Sequence, residues 1–126
     1  MLDLIIKNGQ CYINGELKNV DVSVKDGKIQ GIGKITEEAK DIIDAKDLTV
    51  LPGCIDTQTH FREPGSTDTE DLHSGSRAAI VGGITAVFEM PNTNPPTSTK
   101  KEFQKKLDLA KNRMYCNYAF YFGATA

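Results

Sequence analysis

The apolar positions of this chain change rhythm at Pro52-Gly53. Before that point they fall in short runs separated by tight-turn dipeptides. Leu2-Asp3-Leu4-Ile5-Ile6-Lys7 reads as a strand followed by the turn Asn8-Gly9, and Gln10-Cys11-Tyr12-Ile13 as a second strand closed by Asn14-Gly15. Asn-Gly supplies the positive φ angles that a type I′ hairpin turn demands. Val20, Val22 and Val24 alternate with Asp21, Ser23 and Lys25, the period-two pattern of a half-buried strand. Asp26-Gly27 turns that strand into Lys28-Ile29-Gln30-Gly31-Ile32, and a polar loop leads on to Ile42–Ala45 and Leu48–Leu51. Residues 1–51 are therefore expected to form a small antiparallel β module, the N-terminal part of a β-sandwich-like composite domain that serves as scaffold.

After Pro52-Gly53 the runs lengthen and helical periods appear. Cys54–Phe61 reads as a strand and Arg62–Thr69 as a loop. Asp71 to about Val81 reads as a helix with Leu72, Ser76, Ala79 and Ile80 near one face, capped by Asp68 or Thr69 and ended by Gly82-Gly83. Ile84–Met90 is a second strand rich in β-branched residues, followed by the loop Pro91–Ser98. Thr99-Lys100-Lys101-Glu102 has the spacing of a capping box. The helix it opens is expected to run to about Asn112 with Phe103, Leu107 and Ala110 inward, and Cys116–Phe122 completes a third strand. A β-α-β-α-β order implies parallel strands with right-handed crossovers. The fold class is thus α/β: residues 52–126 read as the first three strands of an incomplete (β/α)8 barrel, whose closed form takes roughly 250 residues. The expectation is a portion of a longer protein, inactive and marginally stable alone, because its third strand would be an open edge.

Composition narrows the function classes. With 126 residues, 39% hydrophobic and 25% charged, the chain fits one small globular unit. A net charge of −2 gives no reason to expect nucleic acid or an anionic membrane as a partner. The lysines between Lys100 and Lys106 read as the solvated face of a helix. Three cysteines, Cys11, Cys54 and Cys116, are too few and too scattered for a disulfide framework. Cys54 and Cys116 lie in apolar runs and read as small buried hydrophobes in a reducing, cytoplasmic setting. No basic, apolar leader opens the sequence at Met1-Leu2-Asp3-Leu4.

The candidate chemistry gathers where the strands run out. Side chains alternate along a strand, so Asp56, Gln58 and His60 share one face. Polar groups on a buried face are costly unless a metal or polar ligand pairs with them. In a barrel, active sites collect at the C-terminal strand ends. His60 and Arg62 end the first strand there and Asn92 follows the second, so all three fall on one rim. Each also has a plainer role open to it: His60 a satisfied surface histidine, Arg62 a salt bridge with Glu63 or Asp71, Asn92 a turn residue after Pro91, Asp56 a hydrogen-bonded carboxylate. His73 is expected to be exposed on its helix. Glu63 is expected to shape the turn, and Glu89 interrupts an apolar strand with no partner evident from sequence.

The segment Asp56-Thr57-Gln58-Thr59-His60-Phe61-Arg62-Glu63-Pro64-Gly65 resembles the Asp-x-His-x-His-Phe-Arg-Glu-Pro-Gly signature of dihydroorotases, within the cyclic amidohydrolase branch of the metal-dependent hydrolases. Met90-Pro91-Asn92-Thr93 resembles that family's Met-Pro-Asn-Thr segment. The resemblance implies zinc-dependent, reversible cyclisation of N-carbamoyl-L-aspartate to dihydroorotate. It implies that His60 is a metal ligand, and that Arg62 and Asn92 bind the substrate carboxylate. One or two zinc ions would be held, with the remaining ligands and the general base outside these residues. Gln58 stands where the pattern has its first metal histidine; a primary amide is a poorer zinc donor than imidazole. Gln58 is then a weak ligand, an orienter of the site, or the mark of a non-catalytic scaffold partnered with aspartate transcarbamoylase. Allantoinase and hydantoinase are the other activities in the same branch, and a homo-oligomer is expected at full length.

Overall fold

The computed structural model describes residues 1–124. They form two compact units, residues 1–52 and residues 53–124. The first holds β1 (Leu2–Lys7), β2 (Gln10–Ile13), β3 (Glu16–Asn19), β4 (Asp21–Lys25), β5 (Lys28–Gly33), β6 (Ala39–Asp44) and β7 (Thr49–Val50). The second holds β8 (Cys54–Thr59), α1 (Leu72–Val81), β9 (Ile84–Glu89), α2 (Lys100–Ala110) and β10 (Asn117–Phe120).

The N-terminal unit is two small mixed sheets rather than one antiparallel meander. Their orders are β5-β4-β1-β6 and β3-β2-β7. β1 pairs antiparallel with β4 but parallel with β6, and β2 pairs antiparallel with β3 but parallel with β7. Two of the turn dipeptides act as hairpin turns with both residues at positive φ: Asn14 and Gly15 at 51° and 88°, Asp26 and Gly27 at 50° and 71°. Asn8-Gly9 does not. Asn8 alone has positive φ there, its backbone N–H donates to Asp21 Oδ1 and its Nδ2 to Asp44 Oδ1, and the chain passes from one sheet into the other. β3 gives no sequence signal because Leu17 is its sole apolar residue and the whole strand is exposed. Leu2, Ile5, Cys11, Val22 and Ala45 are buried.

In the second unit β8, β9 and β10 form one parallel sheet in the order β10-β9-β8. This is an α/β arrangement in which helices join successive parallel strands. Phe61, Leu72, Val87, Ala110 and Cys116 make its core. Leu72 and Val87 are fully buried, each worth about 2 kcal/mol over exposure. Asp71, not Asp68 or Thr69, caps α1: its side chain accepts from Ser74 N–H, and Ser74 Oγ accepts from the Asp71 N–H in return. Thr99 caps α2 through the N–H of Glu102. The strands are shorter than the apolar runs, since His60, Phe61, Met90, Cys116, Tyr121 and Phe122 lie beyond the ladder.

Four burial expectations are corrected. Cys54 is exposed, because it opens an edge strand. Ile80 faces solvent, because Leu72 and Ser76 put the buried stripe of α1 elsewhere. Asp56 and Gln58 are exposed, because no layer covers that face of the edge strand β8 among the described residues. Lys106, expected on a solvated face, is completely buried, and its partner is Glu89. No helix among the described residues is long and apolar enough to cross a membrane.

Candidate functional site

The loops that leave β8 and β9 are tied to each other at their bases and at their side chains. Met90 N–H donates to Thr59 O at 2.9 Å, which extends the strand pairing by one residue. Asn94 N–H donates to Pro64 O at 2.9 Å and joins the two loops further out. Gly65 makes this approach possible: its φ is 121°, and a Cβ there would stand 2.8 Å from Asn94 Cβ and 2.9 Å from Asn94 O. The parallel pairing thus brings together two segments far apart in sequence.

His60 and Asn92 meet across this junction. His60 Nδ1 lies 2.9 Å from Asn92 Oδ1 although the residues are 32 apart in sequence. With Nδ1 protonated, imidazole donates to the amide oxygen, and Nε2 keeps its lone pair. The amide Nδ2 of exposed Asn92 then keeps both its N–H donors for another group. The turn role expected for Asn92 is therefore incomplete, because its side chain also fixes a neighbouring ring.

Arg62 begins the next loop at a φ of 62°, a left-handed conformation that costs a non-glycine residue roughly 1 kcal/mol. Its carbonyl accepts Ser66 N–H, closing the turn. Its side chain is exposed, and among the described residues it forms no salt bridge, neither with Glu63 nor with Asp71. Glu63 is engaged elsewhere. Its buried carboxylate accepts both guanidinium nitrogens of Arg113, at 2.8 and 3.1 Å, and Leu72 N–H at 3.0 Å. Arg113 is held more firmly protonated by these bonds. Glu63 therefore fastens the loop to the start of α1 and to the chain beyond α2, a role whose partner sequence spacing could not identify.

Gln58 is exposed, and its backbone N–H donates to Asp56 Oδ1 at 2.9 Å. The β8–β9 register shifts between Asp56 and Thr59, so Asp56 closes a local irregularity instead of accepting from a buried donor. His73 is exposed as expected, with Nε2 3.2 Å from the Tyr115 hydroxyl. No group of three or more His, Cys, Asp or Glu residues that could hold a metal occurs among the described residues. His60 Nε2 is suited to one coordination bond, with Nδ1 tied down in the manner that fixes a ligand ring. These residues fit part of a ligand set, not a whole one.

Sequence reasoning missed Lys106. Its ammonium pairs with the carboxylate of Glu89 and donates to Met90 O at 3.1 Å and Thr97 Oγ1 at 3.4 Å. Burial pushes the Glu89 carboxyl above its ordinary range, while Lys106 draws it back. The available signal was Glu89 itself, a charge within an apolar strand that required a partner.

The amidohydrolase family profile matches residues 49–125. An allantoinase of Escherichia coli is 46% identical over 113 residues, covering 89% of this chain and 25% of the relative. An allantoinase of Salmonella choleraesuis is 45% identical over the same length. The solved L-hydantoinase of Arthrobacter aurescens superposes with a TM-score of 0.86 at 35% identity, over 98% of this chain and 28% of that one. A D-hydantoinase of a Thermus species gives 0.79 at 28% identity, over 96% and 27%. The chain spans about a quarter of the curated relatives it matches.

Proposed function

The chain belongs to the amidohydrolase family, and from that premise we propose that it supplies part of the active-site rim of a cyclic amide hydrolase acting on an allantoin-type ureide ring. Residues 52–126 are the first three strands of a (β/α)8 barrel, and residues 1–51 are the scaffold module before it. The observation that carries this reading is the contact between His60 and Asn92 at the C-terminal ends of adjacent parallel strands. That is where barrel sites form. Identity to two allantoinases supports the choice of substrate over dihydroorotate.

Ring opening adds water across an amide C–N bond: oxygen joins the carbonyl carbon, the C–N bond breaks, and the departing nitrogen takes a proton. His60 Nε2 would hold a metal, proposed as zinc, with Gln58 as a weak ligand or orienter beside it. A metal bound there supplies Lewis acidity and a more acidic water. Asn92 fixes the ring of His60 through Oδ1 and offers its N–H donors to a substrate oxygen. Arg62, exposed and without a carboxylate partner among the described residues, offers a guanidinium to the substrate.

That same feature of Arg62 favours dihydroorotate as a second reading, because a substrate carboxylate pairs with guanidinium in two hydrogen bonds. A substrate screen on the native gene product separates the two. Ring opening of allantoin without turnover of dihydroorotate is the expected result. Preference for dihydroorotate, abolished in Arg62→Met, would replace it. Metal analysis of the same preparation tests the chemistry: bound zinc is expected, reduced in His60→Ala. Metal-free protein that turns over neither substrate and copurifies with aspartate transcarbamoylase would make the scaffold reading the correct one.

A further inference from the structure

We propose that Lys106, through Thr97, is the positioning residue that holds Asn92 against His60, an inference that rests on the proposed site for its importance to catalysis but not for its geometry. Lys106 lies in α2 and touches neither His60 nor Asn92 by hydrogen bond among the described residues. Its side chain is wholly buried, and its ammonium pairs with the carboxylate of Glu89 at the end of β9 and donates to Met90 O at the start of the loop and to Thr97 Oγ1 near its end. The ammonium also sits 5.2 Å from the ring centre of Phe120.

The hydroxyl chain beyond Lys106 has one consistent direction. Thr93 Oγ1 donates to Pro95 O at 2.9 Å, so its only proton is used. The contact of 3.3 Å between Thr93 Oγ1 and Thr97 Oγ1 is then a donation from Thr97. Thr97 must accept through its lone pair, and Lys106, which can only donate, fills that place. Thr97 N–H also donates to Pro91 O at 2.9 Å, and Thr97 O accepts Gly123 N–H at 2.8 Å. Asn92 stands between Pro91 and Thr93, both of them tied to Thr97. Its backbone is therefore fixed on both sides, by groups that converge on one buried cation.

Burying a charge in this place is costly unless every bond is made. A merely structural filler for α2 would be apolar. An ammonium with three directed partners specifies where the loop sits as well as that it is covered.

The test uses the native gene product labelled uniformly with 15N. Thr97→Val removes the hydroxyl but keeps the shape and the ion pair. Thr97→Ser keeps the hydroxyl. Glu89→Gln with Lys106→Met removes both charges together, so neither is left buried alone. In Thr97→Val and in the double variant, the Asn92 side-chain amide peaks are expected to move to the positions of asparagines whose amide oxygen accepts no bond from an imidazole. Exchange of the Thr97 amide is expected to accelerate about fivefold, the worth of one net hydrogen bond. Thr97→Ser should retain both signatures, and exchange of the Ser74 amide in α1 should stay constant throughout as the measure of an intact fold. Unchanged Asn92 peaks in folded Thr97→Val overturn the proposal, whether or not the double variant folds. Ring-opening kinetics form a separate arm. If the unaltered protein opens no cyclic amide, the functional reading fails while the peak positions still decide the positioning role.

Discussion

Glu63 offers the sharpest quantitative test of how the site loop is anchored. Glu63→Gln keeps the size of the side chain and removes its charge. The two bonds from the Arg113 guanidinium lose the carboxylate charge, and the new amide N–H₂ faces that guanidinium in either orientation, and Leu72 N–H as well if it takes the place of Oε2. Hydrogen bonds to charged groups are worth about 1.5–3 kcal/mol each. The Arg113 side chain is 36% exposed, so solvent screens part of this. The combined loss is about 2 kcal/mol, which accelerates exchange from a local opening about 30-fold at about 1.4 kcal/mol per tenfold. The assay is native-state hydrogen exchange at the Leu72 amide, which donates directly to Glu63. Arg113→Met and the double variant complete a cycle in which the coupling is expected to be about 1.5 kcal/mol. A change below about twofold at Leu72, or a coupling near zero, refutes the reasoning and leaves the turn itself as the anchor.

Other perturbations have equally definite outcomes. Gly75→Ala should lower the urea midpoint, because its Cβ would stand 2.7 Å from Phe61 Cε1 and 2.8 Å from Cγ; overpacking of about 1–3 kcal/mol outweighs the gain of about 1 kcal/mol in helix propensity. Gly65→Ala should weaken substrate binding more than it lowers the melting temperature, since it pushes on Asn94 and parts the two loops; KM and thermal melting measured together check this. Asp3 is held at about 2, below its ordinary 3.8, chiefly by the bond from Lys40 and then by the Asp26 N–H. Its contribution to stability is complete above the ordinary value and disappears as pH falls through the lowered one. Asp3→Asn should therefore flatten the acid limb of a melting-temperature profile over that window.

Local chemistry determined much of this protein from sequence alone. Asn14-Gly15 and Asp26-Gly27 adopt their hairpin conformations because left-handed backbone is cheapest for those residues. Thr99 caps its helix because its hydroxyl can reach the N–H of Glu102. The alternation of strands and helices after Pro52 gave three parallel strands, and their common direction set His60 and Asn92 at one end of the sheet. Pairing over long distances was not legible in the same way. Which strand lies beside β1 depends on faces that match only after folding, and Asn8-Gly9 has the composition of a hairpin turn without serving as one. Period and charge also misassign Lys106. By pattern it belongs to a solvated lysine run, whereas the tertiary structure places it opposite Glu89, where an unpaired carboxylate would be more costly than a buried lysine. Arg113 and Glu63, 50 residues apart, meet for the same reason. Sequence alone identified the residues with chemistry to offer; tertiary structure decided which of them are spent on one another, because a buried charge or polar group takes its partner from whatever the packed chain brings within reach.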